Sequence, residues 1–423
     1  MTEIIYDDGI ETNRRPDVKK SWVSAYGLLY FATCVSWAAP SQLLLGMQMQ
    51  QLDASNKEAM LGMLMTIGGT VQVIASIFAG TLSDRTKTRW GKRLPWILVG
   101  GFGACATLFL ISFTPSYWVM VSAWAAFQFF TVLSTNNILT LTPDTVPQRQ
   151  YGMVSGVLGA TFTFGLVGGT IIAEAFPLQT AYLVVVGLFV AILLTYTLTG
   201  TWKHSRDVHA AEAEERARAE ADNLANNIAA ITRSIHDYVD YLWVFAARFV
   251  VHLGNYVALF FLYYYLQDQI KLDDPEGGVL ILTVIYAAVT ILSAIVGGKW
   301  SDRVQKRKIF VVASALLAGG AAIMMAFVHA WPMVITAGII LGIGWGTFTS
   351  VDQALINEVL PHAQTRARDM SIMTLTVGIT NMLAGISATF ALKAFGGYPG
   401  LYICTGIITV IGALLVLPVK RSR

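Results

Sequence analysis

Five polar residues stand inside long apolar stretches, where a group able to hold or move a charge is expensive and marks function. Arg248, His252 and Asn255 occupy i, i+4 and i+7 of A-R-F-V-V-H-L-G-N, a spacing that puts all three on one face of a helix. Asp352 and Gln353 lie in a second apolar stretch. A guanidinium and a carboxylate form an ion pair, and an imidazole can take up and release a proton near neutral pH. That chemistry is charge exchange rather than bond making. No G-x-S-x-G, P-loop or H-E-x-x-H motif occurs. The sequence therefore implies no enzyme, no cofactor and no metal. Cys34, Cys105 and Cys404 lie in apolar runs without ligand spacing and read as small core residues.

The elements that must carry these residues are membrane helices. Of 423 residues, 55% are hydrophobic and only 13% charged, against roughly 25% charged in soluble globular chains. A spanning helix needs about 20 mostly apolar residues. Six such runs lie in the first half: Trp22 to Gly46, Met60 to Leu82, Pro95 to Phe113, Tyr117 to Thr140, Gly152 to Ala173 and Thr180 to Thr201. Six follow in the second: Tyr241 to Leu266, Val279 to Val296, Phe310 to Val328, Pro332 to Ile356, Ser371 to Leu392 and Tyr398 to Val419. The first run is too long for a signal-peptide core and reads as a retained helix. The expected class is an all-α membrane protein with about 12 transmembrane helices in two pseudo-symmetric six-helix halves, residues 1–201 and 241–423. Residues 202–240 form a charged linker between them, rich in Ala, Glu and Arg and expected to be partly helical. It reads as a solvated connector or as a regulatory segment.

Basic residues crowd alternate loops, the N-terminus and the tail, whereas the opposite loops hold only Lys57, Lys271 and Lys393. That bias puts both termini in the cytoplasm. The acidic loop of Asp268, Asp273, Asp274 and Glu276 then faces outward. The basic residues are spread over membrane-facing loops, which does not point to nucleic acid.

A basic hinge occurs twice. Gly80 to Trp96 reads G-T-L-S-D-R-T-K-T-R-W-G-K-R-L-P-W, and Gly298 to Lys308 reads G-K-W-S-D-R-V-Q-K-R-K. Two spans after each hinge the chain leaves its helix through an acid and a proline, P-D-T-V-P at 143–147 and N-E-V-L-P at 357–361. Hinge and exit keep nearly the same offset, as duplication would leave them.

Gly80, Asp84, Arg85, Gly91, Lys92 and Arg93 match the G-x-x-x-D-R-x-G-R-R loop of the major facilitator superfamily, which the whole chain resembles. The extended R-W-G-K-R-L-P-W at Arg89 to Trp96 is similar to the glycoside–pentoside–hexuronide and sucrose-type sugar:cation symporters. The resemblance implies the major facilitator fold, with helices 1, 4, 7 and 10 around a central cavity. It also implies a secondary transporter in the cell (inner) membrane, with a sugar or glycoside as substrate and a proton or sodium as coupling ion. Melibiose-type carriers place paired aspartates in helix 2, but Met60 to Leu82 contains no acidic residue, which favours the proton.

In that frame Arg248 and Asp352 are expected to pair across the cavity floor, with His252 one turn deeper taking part in coupling. A static structural pair, with Arg248 snorkelling to the interface, is the other reading. Substrate contacts are expected from amides and aromatics on cavity helices: Trp37, Gln42, Gln128, Asn136, Asn255, Trp345, Gln353, and Asn381 on helix 11. A cytoplasmic gate is expected from Asp84, Arg85 or Arg93, and Asp144, repeated as Asp302, Arg303 and Glu358. The same cations also suit lipid headgroups. Proton-coupled uptake of a sugar or glycoside leads. Proton-coupled efflux of amphipathic compounds is the alternative, although helix 5 lacks the G-x8-G-x3-G-P-x2-G-G signature of the antiporters. A ligand-sensing receptor signalling through the linker is a third.

Overall fold

The fold is described from a computed structural model, which covers residues 6–7, 10–11, 15–84, 86, 88–204, 239–304, 306–359 and 366–419. A two-residue hairpin pairs Tyr6–Asp7 with Ile10–Glu11. Every regular element described after it is a helix. The long helices are α1 (Lys20–Ala39), α2 (Lys57–Asp84), α3 (Leu94–Phe113), α4 (Tyr117–Leu139), α5 (Tyr151–Ala175) and α6 (Leu178–Leu198). The second set is α7 (Val239–Phe260), α8 (Pro275–Val304), α9 (Arg307–Phe327), α10 (Trp331–Val359), α11 (Arg366–Ala394) and α12 (Tyr398–Leu414). Among the described residues eleven helices are long and apolar enough to cross a membrane, and α12 is a shorter apolar one. Large apolar side chains stand outward, among them Phe164 at 66% exposure and Leu198 at 83%. A helix that is apolar all round is satisfied by lipid on its outer side. This is a multi-pass membrane protein.

Local chemistry sets the helix ends. Pro95 sits in the first turn of α3, where its missing N–H costs nothing. Asp53 accepts from the Ser55 amide at 3.0 Å and the Asn56 side chain at 2.7 Å, turning the chain into α2. These bonds hold the Asp53 carboxyl below its ordinary pKa, the Asn56 bond most. Beyond α1 the chain enters a π-helical turn, Pro40–Leu44, before Leu45–Leu52. Proline has no N–H for the α-ladder, and the wider turn accommodates the loss. The end of α7 is also interrupted, here without a proline: a break at Phe261, then a π-turn over Tyr265–Gln269.

By contacts the chain forms two compact units, residues 1–40 with 74–233 and residues 41–73 with 234–423. Within the first, α1 packs on α5 and α6, and α3 on α4 and α6. Within the second, α7 packs on α11 and α12, and α9 on α10 and α12. The four pairings repeat at an offset of six helices, as a duplicated six-helix half requires. Glycines permit the corresponding close approaches, from α3 in the first unit and from α10 in the second. A Cβ at Gly100 would lie 2.5 Å from the Ser134 amide nitrogen of α4; one at Gly344 would lie 2.8 Å from that of Ala318 on α9. The second unit also takes in residues 41–73, the end of the first span and the start of α2.

Candidate functional site

A charged pair links α7 and α10 in the second unit. Arg248 on α7 donates through Nη1 to Oδ2 of Asp352 on α10, and through Nε to the Thr376 hydroxyl of α11 at 3.2 Å. Asp352 is 2% exposed. Buried Ala247, Val251, Phe348 and Val351 belong to the surrounding apolar cluster, so both charges have little water and depend on each other.

His252 lies one turn along α7. Its Nδ1 is 2.9 Å from the Arg248 carbonyl oxygen. A carbonyl only accepts, so this contact assigns the hydrogen to Nδ1 and leaves Nε2 as the acceptor of the neutral ring. The ring meets Trp345 edge-on at 5.0 Å and Phe348 at 5.9 Å, and those two stack at 5.7 Å. Asn255, a further turn on, accepts from the Tyr286 hydroxyl at 3.4 Å. The structure thus brings Arg248, His252, Asn255, Trp345 and Asp352 into one neighbourhood, with guanidinium, carboxylate, imidazole and indole at close range. Gln353 is exposed and stands apart from its neighbour Asp352.

In the first unit Arg93 and Asp144 meet. Arg93 Nε donates to Asp144 Oδ2 at 2.7 Å, its Nη1 donates to the Ser83 hydroxyl at 2.8 Å, and Lys92 Nζ approaches the same carboxylate at 3.5 Å. Arg85 and the side chains of Asp84, Asp302 and Glu358 lie outside the described residues; Arg303 is exposed at the end of α8. A strap absent from the sequence reading reinforces the knot. Buried Arg15 donates to the Pro143 carbonyl at 2.5 Å, the Val18 amide donates to Gln150 at 2.8 Å, and Arg149 bonds Asp17 at 2.8 Å. Of the remaining amides and aromatics, Gln128 is buried and Asn136 half-buried on α4, and Trp37 is half-buried near the end of α1. Gln42 is half-buried inside the first π-turn. Asn381 on α11 donates to Gln72 at 3.4 Å.

A second ionic cluster in the second unit escaped the sequence reading. Lys57, only 6% exposed, pairs with Asp268 at 2.7 Å and lies over the Tyr264 ring at 4.7 Å. The Tyr398 hydroxyl meets Asp268 at 2.8 Å and Glu58 at 3.2 Å, while Tyr264 donates to the Gly46 carbonyl at 2.9 Å. Partners more than a hundred positions apart leave no local signature. The clue in the sequence was that Lys57 is one of only three lysines in its set of loops, another of which is acidic.

The family model described as Major Facilitator Superfamily matches residues 26–236 and 244–423. The chain belongs to the Major Facilitator Superfamily. That superfamily is one of membrane transporters rather than enzymes. Among curated members it is 28% identical over 212 residues to a Staphylococcus aureus protein named "Putative proline/betaine transporter", covering 48% of this chain and 43% of that one. It is 34% identical over 85 residues to the lactose permease of Lactobacillus helveticus, 19% of this chain and 13% of that one. The chain thus spans less than half the length of these relatives. Over 98% of both chains it superposes on a crystallised peptide transporter POT in complex with sulfate, with TM-score 0.71 and 13% identity, a likeness of fold.

Proposed function

We propose that this superfamily member carries out proton-coupled uptake of a small polar solute, with a sugar or glycoside as the leading class. Arg248 and Asp352, buried together beside His252 and Trp345, carry the reading. Protonating Asp352 would dissolve the pair and free Arg248, so proton binding and the arrangement of α7, α10 and α11 are linked. Trp345 and Asn255 supply the aromatic face and amide that sugar C–H and hydroxyl groups use. Residues 1–201 and 241–423 act as the two halves, joined by residues 202–240, in the cell membrane with both termini cytoplasmic. In that orientation the Arg93–Asp144 knot is a cytoplasmic gate and the Lys57–Asp268–Tyr398 cluster an outer one. Opening outward then means releasing residues 41–73 from the second unit.

A zwitterion such as proline or betaine is the second reading. It is favoured by the charge at the site, since a guanidinium and a carboxylate suit opposite ends of such a solute, and by the likeness to the staphylococcal protein. Purified protein in liposomes, given labelled saccharides, proline and betaine with and without an inward proton gradient, separates the two. Gradient-driven accumulation of one saccharide supports the first, of proline or betaine the second. No gradient-dependent accumulation by folded protein refutes both.

A further inference from the structure

An apolar groove in the second unit ends at a basic turn. It has a volume of about 530 Å³ between α8, α9 and α10, walled by Val296, Trp300, Ile309, Ala313, Leu317 and Ile343 among others. Trp300 (61% exposed) meets Phe310 edge-on at 5.2 Å, so the groove has an aromatic rim. Its end is the turn from α8 to α9. Val304 and Ile309 line the groove on either side of this turn, and the cations at this end are Arg303, in the last turn of α8, and Lys306, the residue just before α9. Both are exposed.

We propose that the groove is a binding site for an anionic phospholipid, one acyl chain lying against Trp300 and Leu317 and the headgroup phosphate against Arg303 and Lys306. The apolar walls alone would accept any lipid tail. The two cations at one end add selection by charge, because anionic headgroups attract basic residues at the membrane surface by about fivefold in affinity for each. Trp300 fixes the depth, as aromatic side chains do at headgroup level. The basic loops must face an anionic leaflet, which is the orientation proposed above; no transport step is involved.

The test uses Trp300 as its own probe. Full-length protein is placed in phosphatidylcholine nanodiscs carrying equal fractions of acyl-brominated phosphatidylglycerol or brominated phosphatidylcholine. The quenching lost in Trp300→Phe gives the Trp300 component among the 11 tryptophans. Brominated phosphatidylglycerol is expected to quench that component at several-fold lower mole fraction. The preference should vanish in Arg303→Gln/Lys306→Gln, and equally in Ala313→Trp, which fills the groove without touching a cation. Equal quenching by the two lipids in the wild type refutes the site. So does a preference that survives both variants, or one abolished by inorganic phosphate, which would mean a simple phosphate site. Quenching is read without transport, so absent uptake would sink the proposed function and leave this inference standing.

Discussion

Replacing Asp352 by Asn tests how far the buried pair governs the second unit. The change keeps the shape of the side chain and removes its charge, leaving Arg248 cationic among Val251, Phe348 and Val351. Stripping one partner from a buried ion pair costs about 3–5 kcal/mol. Two features reduce this. The Asn oxygen still accepts one bond, and Thr376 already takes one of the guanidinium N–H groups at 3.2 Å; a neutral bond recovers about 1 kcal/mol. A loss of about 2–4 kcal/mol remains. Arg248→Met/Asp352→Leu removes both charges and should restore most of it, since apolar replacement of a buried pair is often neutral or better. Thermal unfolding of purified protein in one detergent, completed as a double-mutant cycle, measures the coupling. An Asp352→Asn protein as stable as the wild type, or a double variant whose loss is the sum of the singles, would refute the inference that the two charges depend on each other.

Three further outcomes follow from the geometry. Lys57→Met removes a cation paired with a carboxylate that is itself 35% exposed, so the loss is about 1–2 kcal/mol after solvent screening. The Thr389 hydroxyl donates to the Glu58 carbonyl at 3.4 Å, next to Lys57; in a background without native cysteines, labelling of Thr389→Cys should rise roughly tenfold in that variant, and an unchanged rate would contradict an outer gate. Exchanging Arg93 and Asp144 should return much of the stability lost in Arg93→Gln alone, read by thermal unfolding, whereas a swap worse than either single change would show the knot depends on more than the pair. Gly344→Leu would drive a side chain into the α9 backbone at Ala318 and should cost about 3 kcal/mol or fail to fold, while Gly320→Leu, with open space at its Cβ, should be near neutral.

The sequence made the helices legible because a bilayer imposes one requirement, about 20 apolar residues, and the chain meets it repeatedly. The Arg248–Asp352 contact was legible for a related reason. Two opposite charges at similar depth in apolar helices have few partners to choose from. The Arg93–Asp144 contact could be anticipated because its two motifs recur together. Arg15 and Lys57 were not legible as buried. Each is a cation in a polar stretch that composition assigns to solvent, and each is covered by carbonyls or carboxylates that folding brings from far along the chain. Thr376 escaped for another reason: a hydroxyl in a helix can bond its own backbone, so its sequence context gives no sign of a charged neighbour.

The π-turn at Pro40–Leu44 coincides with the point where α1 leaves the first compact unit and the chain enters the second. One extra residue in a helix rotates everything beyond it by about 100°. A Cβ on Gly46 would lie 3.3 Å from the Tyr263 ring and 3.8 Å from that of Tyr264; shortening the turn by one residue would re-phase Leu45–Leu52 as a body and present a bulkier neighbour to these rings. Chain length is therefore constrained at this position more tightly than residue identity. Insertions and deletions should be tolerated poorly between Ala39 and Leu45, even where substitutions that keep the residue count are accepted.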